Sequence, residues 1–479
     1  MRTARKLYYM LVSTPLKSVA HASKVLFLLL FSFFINSQLS AQFTQDDVTY
    51  WVGEGENSAV LVIDFNQGDA EESLAWGFRF DGETTGGDML EAIDQSDVAM
   101  RVNAEAFLND IFYITKTGVG GAPDYWGTWS SDNGTEWESN SGLGEPVTDG
   151  GWFGCTYTDF NPAVAPAEPI AAPEYEVGPF APAAEMDGST AIPASSVSFV
   201  GWASGCDVAR GPVDITDETS ADASVGDAQS ATGAADGTSI VSLGDGGTAT
   251  LTFDAPIYNG PGADFAVFEN AFDDTFLELA FVEVSSDGET FIRFPAISLT
   301  QTETQIGGFD PLQTELLYNF AGKYRANFGT PFDLEQLADS AGIDIDAVTH
   351  VRIVDVVGSI DENYASLDAH GFPVNDPFPT AFESGGFDLD AVGVIHTTVG
   401  VAEMAQNKIA VYPNPTSNFI EVEVEESASV EIYSQAGRLV LRQDDYRGGA
   451  LDLRSLTSGS YIVRVTTAGD SFSEVVLRR

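Results

Sequence analysis

A chain of 479 residues with 72 Asp+Glu against 21 Lys+Arg, net −51, repels nucleic-acid phosphates and anionic lipid alike, so no nucleic-acid partner is expected. At 44% hydrophobic and 11% aromatic residues, it holds too much apolar surface for a disordered acidic tail. The length predicts several domains, and the charge suits a solvated surface with some affinity for cations.

The first 24 residues carry five basic side chains (Arg2, Arg5, Lys6, Lys17, Lys24) and no acidic one, and the apolar run VLFLLLFSFFI follows over 25–35. Small Ala41 then offers a cleavage point. Basic start, apolar core and small-residue exit are the parts of a secretory signal, so residues 1–41 are read as a signal peptide. A helix of those eleven residues would span about 16 Å of a ~30 Å hydrocarbon core, too little for an anchor. No later run is long enough to span, so no transmembrane segment is expected in the mature chain.

Residues 42–160 read as an α+β ligand-binding unit. Runs 59–65 (AVLVIDF), 75–80 (AWGFRF) and 110–115 (DIFYIT) are strand-like, and 88–93 (DMLEAI) predicts one short helix with Asp88 as N-cap. A Trp/Gly/Ser-rich region closes the unit. Residues 161–195 are a Pro/Ala-rich linker: Pro162, Pro166, Pro169, Pro173, Pro179, Pro182 and Pro193 exclude helix and central strand and predict an extended, semi-rigid spacer.

Residues 196–399 are strongly β. Runs 248–253, 264–269, 279–285, 290–294, 350–356 and 388–395 are strand-like, with turn dipeptides at Asp245-Gly246 and Asp287-Gly288. One helix-like insert lies at 333–341. Many short strands in about 200 residues indicate a jelly-roll β-sandwich. Residues 409–479 are again all β, with a hairpin turn expected at 435–437. The chain as a whole is expected to be mainly β and multidomain.

Two cysteines, Cys155 and Cys206, fit no metal motif, and an exported chain meets an oxidising compartment. A disulfide between them is expected, fixing the first unit against the second across the linker, with two free buried thiols as the alternative. Catalytic signatures are absent: no H-E-x-x-H, G-x-S-x-G, P-loop or dinucleotide fingerprint occurs. His350 reads as a packed strand residue, His370 lies in a Gly/Pro-rich loop and His396 ends a strand, which suggests no catalytic pair.

Three resemblances sharpen these expectations. Val411-Tyr-Pro-Asn-Pro415, Ile432-Tyr433, Ala436-Gly-Arg-Leu439, Leu453, Leu456 and Gly459-Ser-Tyr-Ile-Val463 resemble the sorting domain of the Bacteroidetes type IX (Por) secretion system, with an Ig-like sandwich. That resemblance implies the type IX secretion machinery as partner and an extracellular or outer-membrane surface destination, via the periplasm. The 196–399 unit resembles carbohydrate-binding and discoidin-like modules through 282–291 (VEVSSDGETF) and 386–392 (GFDLDAV). There the resemblance implies a structural calcium at Asp390. Asp388, two residues away on one strand face, would join it, and Asp264, Glu269 and Asn270 could complete a calcium shell of six to eight oxygens. More faintly, 88–93 (DMLEAI), 113–115 (YIT), 124–126 (DYW) and 149–152 (DGGW) follow the motif order of the transcobalamin-like C-terminal domain, which implies a corrinoid ligand. Trp126, Trp129, Trp137 and Trp152 would then offer flat binding surfaces, or else fill a core. The function expected is that of an exported, non-catalytic binding protein for a corrinoid, with a glycan-binding protein or adhesin as the alternative and a glycan-active enzyme behind both.

Overall fold

The computed structural model describes residues 42–479 except 68–72, 105–106, 160, 398–410, 423, 425–426, 435–438 and 468–470. The expected signal peptide and the turn at 435–437 lie outside the described residues. No helix among the described residues is long and apolar enough to cross a membrane. The chain divides into two compact units, one ending at Thr397 and the other starting at Thr398.

The first unit begins with a mixed sheet. Strands β1 (Trp51–Gly53), β2 (Asn57–Asp64) and β3 (Ser73–Phe80) precede helix α1 (Gly86–Ser96). A three-stranded meander follows: β4 (Met100–Ala104), β5 (Leu108–Tyr113) and β6 (Lys116–Val119). Then come β7 (Tyr125–Ser131), β8 (Glu138–Ser139) and β9 (Trp152–Thr158), and the sheet order is β1-β3-β2-β9-β7-β8. Both faces of β2 are buried, which is why it reads as an unbroken apolar run. Leu61 and Ile63 pack beneath α1 with Met89, Leu90 and Ile93, while Val60 and Val62 face a smaller cluster containing Trp152. The cap lies three residues before the expected one: Thr85 is the N-cap, and Asp88 sits at the third helical position. The two side chains answer each other, Thr85 Oγ1 accepting from Asp88 N at 3.2 Å and Asp88 Oδ2 from Thr85 N at 2.9 Å. This capping box favours the acidic side chain inside the first turn rather than at its entrance.

The proline-rich segment is extended, yet it is held to its neighbours rather than free. Its non-proline residues keep their amide donors. Strand β10 (Ile170–Ala171) lies parallel to β3, Phe180 N donates to Glu315 O at 3.1 Å, and β11 (Ile192–Pro193) pairs with a later strand at a sheet edge, where a proline costs no ladder bond.

Two antiparallel sheets follow. After short β12 (Gly201–Trp202) and β13 (Gly205–Ala209), eight further strands build the two sheets: β14 (Val241–Ser242), β15 (Thr248–Ile257), β16 (Phe265–Glu269), β17 (Ala280–Ser285), β18 (Ile292–Arg293), β19 (Phe328–Phe332), β20 (Val348–Asp355) and β21 (Asp388–Val394), with a separate two-stranded pair, Ile297–Ser298 and Leu317–Tyr318, between β18 and β19 in sequence. One sheet holds β19-β16-β21 with β14 beside β21, and the other β15-β20-β17-β18. Strands β14 to β17 alternate between the two sheets, as do β18 to β21, while β17 and β18 are neighbours in one sheet. Phe265, Val267, Val282, Val284, Phe332, Val351, Ile353, Leu389 and Val392 share the core between them. The helix-like insert is a single 3-10 turn, Leu334–Leu337, capped by Asp333.

Within this unit the mixed sheet and the sandwich touch through the meander. Arg101 donates to Ser298 O (2.9 Å) and Thr300 O (3.3 Å), and its guanidinium lies 4.6 Å from the Phe372 ring centre. Phe112 stacks on His370 at 4.6 Å.

The second unit is a small β-sandwich. Strands β22 (Val411–Tyr412), β23 (Phe419–Val422) and β26 (Ala450–Asp452) form one sheet; β25 (Leu439–Tyr446), β24 (Ala428–Ser434), β27 (Gly459–Thr466) and β28 (Ser471–Arg478) form the other. Val430, Ile432, Val463 and Val465 alternate inward toward Ile420 and Leu451.

Candidate functional site

The four tryptophans do not make one surface. Trp126 is 7% exposed on the α1 face, where its Nε1–H donates to Gly118 O at 2.9 Å and its ring meets Phe65 and Tyr157. Trp129, paired with Gly154, and Trp152, paired with Ser131, fall on the opposite face of the sheet by strand alternation. Trp152 is itself 5% exposed, so Trp126 and Trp152 correct the expectation of exposed platforms: their size is used to fill the two faces of the sheet. Trp137 is half-buried and lies over Gly154, where a Cβ would come within 2.9 Å of its ring, so glycine is needed for this approach.

Trp137 and Trp152 do wall a cleft of about 540 Å³, together with Phe153 and Pro146. Its rim is rich in hydrogen-bond acceptors: Ser130, Asn133 and Thr148, and the carboxylates Asp132, Glu136, Glu138 and Glu145. Trp137 also lines a neighbouring opening of about 350 Å³ with Gln42, Thr135, Pro166 and Glu168.

The five oxygen donors expected to share one cation are divided among three places. Asp264 lies just before β16, at the far end of the sandwich from Glu269, where it accepts from Gly260 N and Leu334 N, each at 2.7 Å, and faces His396 Nδ1 at 2.7 Å. Asp390 accepts from Gly237 N at 2.9 Å and Asp236 N at 3.3 Å. The cause is a bulge. Phe268 pairs with Ala391 and Glu269 with Leu389, leaving Asp390 as an extra residue without a partner on β16. Strict alternation fails there, and Asp388 and Asp390 serve different neighbours. Asp388 accepts from the Ser242 hydroxyl and the Asn270 side chain.

Glu269, Asn270 and Asp388 do meet, at the sandwich end formed by the loops after β16, β18 and β20. They line a pocket of about 250 Å³ with Glu278, Phe272, Phe276, Phe309 and Phe382. Burial pushes the Glu269 and Glu278 carboxyls well above their ordinary value, and their like-charged neighbours push further; burial brings Asp388 to about 6. No group of three or more His, Cys, Asp or Glu side chains among the described residues is disposed to hold a metal ion. The sequence reading missed Glu278 and the phenylalanines. A signal was present: phenylalanines set in Asp- and Gly-rich loops, as in 271–276 (AFDDTF) and 307–310 (GGFD), have no strand core to fill.

The two cysteines are free thiols, which corrects the expected disulfide. Cys155 sits on β9 between Ile63 and Thr128, wholly inside the α1-side core; Cys206 sits on β13 opposite Leu251, against the sandwich core. Each packs as a small hydrophobe in a different core, and burial pushes both thiols up to about 12. The relation between sheet and sandwich that the bridge was expected to fix is made by Arg101, Phe112 and the pinned proline segment. His350 hydrogen-bonds Thr349 at 2.8 Å and lies beside Phe291, while His370 belongs to the contact with Phe112.

The C-terminal sandwich has a small core and a Pro-Asn-Pro entrance at 413–415. Residues 410–477 match the family model described as secretion system C-terminal sorting domain, of the type IX system. The protein is thus exported to the cell surface or secreted, with the type IX machinery as a partner. No curated protein matches the chain. Among solved structures, a β-glucuronidase of Ruminococcus gnavus is 11% identical over 50% of this chain and 38% of that one, at a TM-score of 0.13. The chain therefore spans well under half of that enzyme, and a likeness so slight carries neither fold nor function.

Proposed function

We propose that the protein is a non-catalytic capture protein of the cell exterior that holds a corrinoid in the cleft beside Trp137. The observation that carries this reading is the cleft itself: about 540 Å³, aromatic on one wall and ringed by acceptors. Such a volume lies in the range of small-molecule sites. A corrinoid is a flat macrocycle whose edge bears carboxamide donors, so an indole wall and a rim of carboxylates, hydroxyls and amides would complement it. A glycan is the second reading, favoured by the same polar rim, since sugar hydroxyls also donate to carboxylates.

Calorimetry of the secreted protein with cyanocobalamin and with a polysaccharide panel separates the two. Cobalamin binding that falls at least tenfold in Trp137→Ala supports the corrinoid. Polysaccharide binding with the same sensitivity replaces it by the glycan, and failure of both leaves an adhesin.

A further inference from the structure

The pocket at the end of the sandwich has a composition the first cleft lacks: carboxylates at its floor and phenylalanines at its mouth. Glu269 is 1% exposed and Asp388 7%, and part-buried Glu278 joins them. Behind this floor lies Asp376, 4% exposed, whose Oδ2 accepts from Leu279 N, the residue after Glu278, at 3.0 Å. Its Oδ1 is buried with no hydrogen-bond partner, and its charge acts on both Glu269 and Glu278. Among the described residues no basic side chain forms an ion pair with any of these four carboxylates. Acids this buried are ordinarily paired.

The mouth is as unusual as the floor. Phe272 is 86% exposed, Phe309 72% and Phe382 47%. With Phe276 they form a continuous string, the ring centres 5.9 Å apart from Phe272 to Phe276, 6.0 Å to Phe309 and 5.5 Å from Phe309 to Phe382. Contiguous exposed apolar side chains mark an interaction site, and aromatic faces attract cations.

We propose that this pocket takes an organic cation on an apolar stem, the chemistry of a lysine or arginine side chain presented by a protein partner. Charge complementarity selects it. Once the floor ionises, an anion is repelled, and a neutral sugar leaves its charge uncompensated. A bare metal ion leaves the aromatic wall unused and finds no group of acidic side chains disposed to hold it. An ammonium or guanidinium head brings a positive charge to the floor and further N–H donors to its carboxylates, while its methylene stem lies along the phenylalanine rings. Burial raises the carboxyls of Glu269, Glu278 and Asp388, with Asp376 and Asp355 pushing Glu278 further and Arg210 pulling Asp388 back, and this gives the binding a pH dependence: the floor must lose protons to receive the cation.

The test is calorimetry on the full secreted chain with Nα-acetyl-lysine amide, Nα-acetyl-arginine amide, the neutral isostere Nα-acetyl-norleucine amide and calcium chloride. The expected result is saturable binding of a cationic amide and none of the norleucine amide, with affinity rising at least tenfold from pH 5 to pH 8. Asp388→Asn and Phe309→Ala should each lose at least tenfold with an unchanged circular dichroism spectrum; Phe309 is exposed enough for its truncation to leave the fold intact. Trp137→Ala should leave this binding unaltered, which keeps it separate from the corrinoid reading. Three results would overturn the proposal: no binding of either cationic amide, equal binding of the norleucine amide, or calcium binding that Asp388→Asn abolishes while the amides fail.

Discussion

Lys323 is 4% exposed, its ammonium donating to Leu317 O at 2.7 Å near the rings of Phe180 and Tyr324. Burial brings its pKa down to about 7. Between that value and the ordinary lysine value near 10.4, the unfolded chain holds a proton that the folded chain has released. Stability therefore rises with pH across that window: the cost of burying this group grows as pH falls from about 10.4 and is complete by about 7. Melting curves from pH 7 to pH 9.5 should show the wild type gaining on Lys323→Met, whereas parallel curves would mean the lysine stays charged inside. The cysteines were legible in type but not in pairing. Sequence shows two thiols and an exported destination; which core each enters depends on strands paired far along the chain, Cys155 with Ile63 and Cys206 with Leu251. With both thiols pushed up to about 12, a thiol reagent at pH 8 should find two groups after denaturation and react slowly before it. Asp390 shows the same limit. Period-two reasoning placed it with Asp388, and a one-residue bulge, which no composition announces, parted them.

At the scale of the element, α1 depends on its box. Thr85→Ala should cost about 1 kcal/mol by leaving Asp88 N without its cap, readable as a lower denaturant midpoint at an unchanged slope. Elements were the most legible level. The expected run 279–285 is observed as Ala280–Ser285, and 388–395 as Asp388–Val394. Apolar runs between turn signals survive any topology, so such strands announce themselves. What assembles from loops does not: the second pocket joins Phe309 to Glu269 and Asp388, the last two meeting because β21 returns beside β16. The contact between sheet and sandwich was likewise invisible, since Arg101 binds carbonyl oxygens at Ser298 and Thr300 that any sequence would supply. Arg101→Ala should lower stability by about 2 kcal/mol, the scale of a charged hydrogen-bonding group lost from a buried site. Limited proteolysis would then cut first within 161–195.

For the whole molecule, the C-terminal unit decides destination, and its motifs were specific enough to be read from sequence alone. Deletion of 409–479 should leave the protein in the periplasm, where fractionation and surface labelling would find it; normal display of the truncated chain would contradict the sorting role. The ligands are another matter. Both pockets are lined from loops, and a net charge of −51 scatters so many carboxylates along the sequence that only three-dimensional closeness singles out the few that act together.

The place of β21 has a consequence in time. It is the last strand of the larger sandwich in sequence, yet it lies inside its sheet, hydrogen-bonded to β16 on one side and to β12 and β14 on the other. Until Asp388–Val394 has arrived, the strands at Gly201–Trp202 and Val241–Ser242 have no partner to close upon. Non-local pairing of this kind folds slowly, because the loop must be ordered before the contact rewards it. A chain threaded through a narrow channel from its N-terminus would thus stay pliable through most of its passage. Its sandwich would set only when nearly all of that domain has emerged on the far side.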